Sequence, residues 1–443
     1  MSNKLNSKPK KSKRLNLKYS NEAWKNALKF IPGGVQTFSK MPLQHGDGVA
    51  PKFIKKSKGC YTWDIDNNKY VDYICSLGPI ILGYADKAVD TSAKKMIDSG
   101  QLIPSLPNKI ETDLSKILVQ NIPSAEMVRF GKNGSDVTQA AIRAARGLTG
   151  KNKVAACGYH GYHDWFIGTT SRNLGVPKEV RNLTKIFKYN DIDSLYHLFK
   201  KNKSEIAAVI MEPVNFVNPK DDFLNKVKDL THANKAILIF DEIITGFRAS
   251  LGGAQKIFNV TPDLSCFGKA MANGYPISAV VGKKEFMEIF NEVFFSSTFG
   301  GEAISIAASM TTIKEIKKRN TIKKINDLGL ELIKNFRESI HTYNLNQHVS
   351  ITGFGWWPKY TFYDRNMKQS FELQTLFQQE IVKRGILTRA GIFITDSHTK
   401  KIIEKTSEIF DETLYFISNC IKNKSINKNI EGSLIQPVMR ESK

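Results

Sequence analysis

From residue 76 to residue 318, short apolar runs alternate with stretches of helical period, and few folds accommodate that alternation. The runs at 127–130, 154–157, 207–211, 236–240, 265–267 and 277–281 read as strands, while 111–120 and 137–148 read as helices between them. Strand and helix in turn predict an α/β fold, a mostly parallel sheet with helices on both faces. In such sheets ligands gather beyond the carboxyl ends of the strands. The flanks differ in character. Residues 1–18 read as a basic disordered tail. Residues 19–75 read as an N-terminal segment joining a smaller domain, with a hairpin at 61–70 that turns on Asp66-Asn67-Asn68. Residues 76–320 then form a large domain, 321–425 a smaller α+β domain with helices at 322–341 and 402–421, and 426–443 a polar tail.

Composition removes several classes of function. The chain has 443 residues, 41% of them hydrophobic, enough to bury a sizeable core. No run approaches the length of a membrane-spanning helix, and the N-terminus lacks the apolar segment of a secretory signal. The five cysteines are scattered without metal-type spacing, which argues against a disulfide framework and for a reducing cytoplasm. The net charge is +23, and residues 1–18 supply seven of those charges. A basic surface of this kind can serve nucleic acid or an anionic membrane. No nucleic-acid module accompanies it, so the charge reads as a Lys- and Asn-rich solvated surface with neither as a partner.

The chemistry concentrates on a few residues. The apolar run 236–240 ends in Asp241-Glu242, and Lys269 follows in Phe267-Gly268-Lys269-Ala270-Met271. Alternation along a strand turns Asp241 and Ile243 to one side and Glu242 to the other. An acid closing a buried strand, followed by a lysine among small and apolar residues, meets the needs of pyridoxal phosphate (PLP). The lysine forms a Schiff base with its aldehyde, and the acid pairs with its ring nitrogen. Burial would lower the lysine's pKa and make it a nucleophile and proton carrier. Asn133-Gly134-Ser135-Asp136 precedes the helical stretch, and a helix start with glycine offers N–H groups to a phosphate. Tyr159-His160-Gly161-Tyr162-His163 could stack on a ring; the two histidines could also ligate a metal, but no third and fourth ligands accompany them, so no metal is expected. The acid strand also looks like that of a P-loop ATPase. The nearest phosphate loop, Gly147-Leu148-Thr149-Gly150-Lys151-Asn152, has the wrong glycine spacing and lacks the Ser or Thr after lysine.

Taken in order, Ile31-Pro32-Gly33-Gly34-Val35, Tyr159-His160-Gly161, Met211-Glu212-Pro213-Val214, Asp241-Glu242-Ile243-Ile244-Thr245-Gly246-Phe247-Arg248, Thr261-Pro262-Asp263-Leu264 and Gly268-Lys269 resemble the class III aminotransferases. These are PLP-dependent transferases of fold type I, and the resemblance is to glutamate-1-semialdehyde 2,1-aminomutase and its aminotransferase relatives. It implies that Lys269 is the Schiff-base lysine and that Asp241 pairs with the pyridine nitrogen. It further implies that Tyr159 and Ile243 cover the two ring faces, and that Gly134 and Ser135 hold the phosphate. Thr298 would reach the phosphate of a neighbouring subunit, which implies a homodimer, and Glu212 would lie on the substrate side. Small amines and carbonyl compounds are the implied substrates. Lys40 stands where the aminomutase carries an arginine for the substrate carboxylate, and a lysine lacks the bidentate fork. The expectation is therefore an aminotransferase acting on a small polar carbonyl compound. The alternatives are the aminomutase itself and a catalytically silent PLP-fold binding protein.

Overall fold

The computed structural model describes residues 14–437 and divides the chain into two compact units. Of the described residues, one unit takes 14–77, Gly83–Ala85 and 323–437; the other takes Gly78–Leu82 and Asp86–Ile322.

The second unit is built on a seven-stranded sheet. Its order is Met127–Gly131, Ser278–Gly282, Leu264–Phe267, Ile237–Asp241, Ile206–Met211, Lys153–Cys157 and Thr184–Ile186. The five strands from Leu264–Phe267 to Thr184–Ile186 run parallel, and Ser278–Gly282 is antiparallel to both of its neighbours. The central strands are buried along their whole length, as continuous apolar runs require. Their alternate residues feed two cores. Ala208, Ile210 and Ile239 join Val137, Ala141 and Ala145 of the helix Gly134–Thr149 on one face. Val209, Met211, Leu238 and Phe240 join Leu195, Leu224 and Val227 on the other. The short edge strand Thr184–Ile186 carries too little apolar sequence for periodicity to show it.

The first unit holds a four-stranded sheet in the order Ile54–Lys58, Tyr61–Asp64, Lys69–Asp72 and Ile386–Leu387. Tyr61–Asp64 and Lys69–Asp72 form the expected antiparallel hairpin. A separate two-stranded ribbon, Val349–Phe354 with Trp357–Phe362, and the long helix Lys400–Lys422 belong to the same unit.

The described parts of both tails are held in place; residues 1–13 and 438–443 lie outside the described residues. The helix Lys18–Phe30 opens before the expected end of the N-terminal tail, because Leu17 is buried and Asp66 accepts hydrogen bonds from the Tyr19 and Ser20 N–H groups. At the other end Ile435 is buried and its N–H donates to Thr375 Oγ1.

Candidate active site

Asp241 ends its strand at the carboxyl edge of the sheet, paired in register with Cys266. The next strand leads through Gly268 into a single helical turn that begins at Lys269, so the sheet register brings the acid and the lysine to one edge. Lys269 adopts a left-handed φ of 41°, an uncommon conformation for a side-chain-bearing residue and one concentrated at functional sites. Lys269 lines a cavity of about 150 Å³ together with Asp241, Ile243, Glu212 and Tyr159. Gly134 and Ser135 border the same cavity from the start of the helix Gly134–Thr149.

Each group is held from outside the cavity. Asp241 is almost fully buried, and its Oδ2 lies 2.8 Å from His160 Nδ1. Its Oδ1 accepts from the Ile243 N–H at 3.1 Å. His160 is buried, stacks at 6.1 Å on Trp165 and meets Phe166 edge-on at 5.2 Å. The carboxylate is thereby fixed in orientation and its second oxygen paired, as a buried carboxylate needs. Glu242, pointing away, accepts from the Ala254 and Gln255 N–H groups at 2.7 and 2.8 Å and braces the loop after the strand.

Electrostatics single out two groups. Burial pulls the Lys269 ammonium below its ordinary value; Glu212 and Asp241 oppose this and Arg248 adds to it. A deprotonated amine is thus made more accessible near neutral pH. Burial, helped by Asp241, pushes the Glu212 carboxyl up to about 7, against the opposing pull of His160, the Tyr159 N–H and Lys269.

Gly134 and Ser135 bring the helix start to the cavity as a cup of backbone N–H groups. The Asp136 carboxylate accepts from the Asn133 and Lys132 N–H groups at 2.7 and 3.1 Å and turns the chain into the helix. The N–H groups of Gly134 and Ser135 belong to the first turn and have no acceptor within the helix. Ser135 Oγ accepts from the Tyr162 N–H at 3.2 Å, which ties the 159–163 loop to the cup. That loop approaches so closely that Gly161, at φ 101°, has room for hydrogen only: a Cβ there would lie 2.2 Å from Ser135 Oγ.

Seven of the nine expected site residues line this one cavity; the other two do not. Thr298 sits in an exposed turn of the same unit, outside the cavity. Lys40 belongs to the other unit, where it ends the turn Phe38–Lys40 and lines a separate cavity of about 500 Å³ with Thr37 and Ser39. Two further residues emerge that sequence reasoning did not assign. His160, whose ring the sequence offers for stacking or metal ligation, lines the cavity and holds Asp241. Arg248 is wholly buried and its guanidinium donates to the Gly78 and Ile80 carbonyls at 2.8 and 2.9 Å. Both stand in stretches that carry the family resemblance, Tyr159-His160-Gly161 and Asp241 to Arg248, but nothing in their spacing names the partner each one holds.

An amine, an oriented carboxylate and an anion-binding helix start around one cavity fit PLP, group by group. Fold and site together define a PLP-dependent enzyme of amine chemistry. The family profile "Aminotransferase class-III" matches residues 43–410, and the chain belongs to that family. A 3-aminobutyryl-CoA aminotransferase of Cloacimonas acidaminovorans is 37% identical over 417 residues, 91% of this chain and 98% of the relative. A glutamate-1-semialdehyde 2,1-aminomutase of Francisella philomiragia is 38% identical over 356 residues, 75% of this chain and 81% of the relative. Among solved structures, the Sphingopyxis FumI protein in its PLP internal aldimine form superposes with a TM-score of 0.82 at 25% identity, covering 91% of this chain and 97% of that one. The chain is a PLP-dependent aminotransferase or aminomutase, with small amines and carbonyl compounds as its substrates. No helix among the described residues is long and apolar enough to cross a membrane.

Proposed function

We propose that this enzyme is an aminotransferase that delivers an amino group to a small polar carbonyl compound. The observation that carries the chemistry is the convergence of Lys269, Asp241 and the Gly134–Ser135 helix start on one cavity. Lys269 holds the cofactor through Nζ, and Asp241, oriented by His160, faces its ring nitrogen. The Gly134 and Ser135 N–H groups receive the phosphate, while Tyr159 and Ile243 cover the ring faces. When bound, PLP supplies an electron sink that stabilises negative charge on the substrate carbon. Once an amine substrate has taken its place on the cofactor, the freed Lys269 Nζ, its basicity lowered by burial, would be the group that takes the proton from that carbon and returns it to the neighbouring acceptor. Glu212 lies on the substrate side of the cavity and holds a proton near neutral pH. The family resemblance would have Thr298 reach the phosphate of a second copy of the chain; its exposed position outside the cavity is compatible with that and supports a homodimer. The five cysteines are all buried free thiols, which suits the cytoplasm.

By the family resemblance Lys40 takes the place of the aminomutase's arginine, and this supports amino transfer over the intramolecular reaction, because a single ammonium cannot form the arginine's paired hydrogen bonds to a carboxylate. The aminotransferase name of the Cloacimonas relative supports this reading, and the aminomutase name of the Francisella relative supports the alternative. Two measurements decide. The protein with PLP is expected to absorb in the visible, and Lys269→Ala to lose that band. A screen of amines and carbonyl compounds, read through the cofactor spectrum, is expected to find an amino donor and an acceptor, with little 5-aminolevulinate formed from glutamate-1-semialdehyde. Fast conversion of the semialdehyde would establish the aminomutase instead.

A further inference from the structure

A second cavity, of about 640 Å³, lies wholly within the first unit, between the Lys69–Asp72 and Ile386–Leu387 strands and the helix Lys400–Lys422. Its volume falls within the range of small-molecule sites. Its lining contains Lys69, Lys401, Lys405 and Arg384, and no carboxylate. Arg384 is already paired with Glu380 at 2.9 Å and Glu412 at 3.7 Å. The three lysines have no ion-pair partner among the described residues. Lys69 instead lies 3.9 Å above the Tyr61 ring, which fixes its ammonium at the cavity without neutralising it.

The helix compounds the charge. Lys401 and Lys405 are one turn apart on the same helix, a repulsive spacing. Its first turn also contains Lys400 and no acid, so cations crowd the end where the helix dipole is itself positive. Glu404 and Glu408 follow three residues after Lys401 and Lys405, but neither lines the cavity, so every charged side chain in the lining is cationic. The floor is of a different kind: Val71, Ile386, Ile402 and Ile409 supply an apolar surface beneath the lysines. We propose that this cavity binds an organic phosphate, with the phosphate at Lys69, Lys401 and Lys405 and the organic body on the apolar floor. The site is distinct in residues from the cavity around Lys269 and does not depend on the identity of the amino donor or acceptor.

The test is calorimetric titration of the PLP-loaded enzyme with AMP, glucose 6-phosphate and inorganic pyrophosphate, with adenosine as the uncharged control. Loading with PLP fills the helix-start cup, so binding reports on the second cavity. At least one organic phosphate is expected to bind, adenosine not, and Lys401→Ala/Lys405→Ala to weaken that binding at least about tenfold. Lys94→Ala/Lys95→Ala removes the same charge from an exposed helix of the other unit and is expected to leave binding intact. Both pairs replace exposed helical lysines by a good helix former, so folding is preserved. The proposal is overturned if no organic phosphate binds, if pyrophosphate alone binds, or if the two pairs weaken binding equally.

Discussion

Gly161→Ala is the sharpest probe of the phosphate cup. At φ 101° an alanine is strained whatever surrounds it, at about 1–3 kcal/mol. Its Cβ would also lie 2.2 Å from Ser135 Oγ, 2.9 Å from Ser135 Cβ and 3.1 Å from Ser135 Cα. The hydroxyl can rotate away, at the loss of the Tyr162 hydrogen bond worth about 1 kcal/mol. The Cα cannot, so the first turn of the helix must shift, and overpacking of this kind costs about 1–3 kcal/mol. Gly175→Ala isolates the backbone share, since Gly175 has φ 86° and nothing within 4 Å of its Cβ position. The difference between the two variants is then about 2–4 kcal/mol, placed at Ser135. If Ser135 and Gly134 hold the phosphate, PLP binding must restore the displaced turn against that cost, and PLP affinity falls by about tenfold or more, up to the full cost, in Gly161→Ala relative to Gly175→Ala. Titration of each apo-protein with PLP, followed by visible absorbance, measures this directly, and urea unfolding checks that both variants fold. PLP affinities within about twofold of each other would refute the assignment of the cup.

Two further outcomes follow from the charges. Because Glu212 is raised from an ordinary 4.5 to about 7, the folded apo-protein holds one more proton than the unfolded chain between those values. Its contribution is fully present below pH 4.5 and is lost as pH rises to 7, with a slope of at most about 1.4 kcal/mol per pH unit. Glu242, pushed up to about 7 by burial, adds in the same sense. Urea unfolding of Glu212→Gln is expected to show a shallower decline over this window, and an unchanged slope would count against the buried carboxyl. The Lys132–Glu302 ion pair, 3.0 Å long and mostly shielded from water, joins the strand leading into the cup to the helix that follows the Thr298 turn. A double-mutant cycle with Lys132→Met and Glu302→Gln is expected to give a coupling of about 1–3 kcal/mol in unfolding. Coupling indistinguishable from zero would mean that the pair does not join these segments.

Much of this enzyme was legible before any coordinates. Strand and helix periods depend on neighbours a few residues away, so the parallel sheet, the strand ending at Asp241 and the helix opening at Gly134 could all be read from the chain. Lys269 was legible for the same local reason, a lysine set among residues too small and apolar for a surface loop. Tertiary structure decided how those groups are supported. His160 reaches Asp241 across 81 residues of sequence, and Arg248 reaches the Gly78 and Ile80 carbonyls across 170 and 168. No period or spacing announces such bonds, because their geometry exists only once the sheet has formed. The same holds for Glu212, whose carboxyl is raised by burial and by the charge of Asp241, the residue that ends the next strand in sequence. The chain alone specified which side chains could do amine chemistry. The fold supplied their burial, their orientation and their mutual charge, which are what set their reactivity.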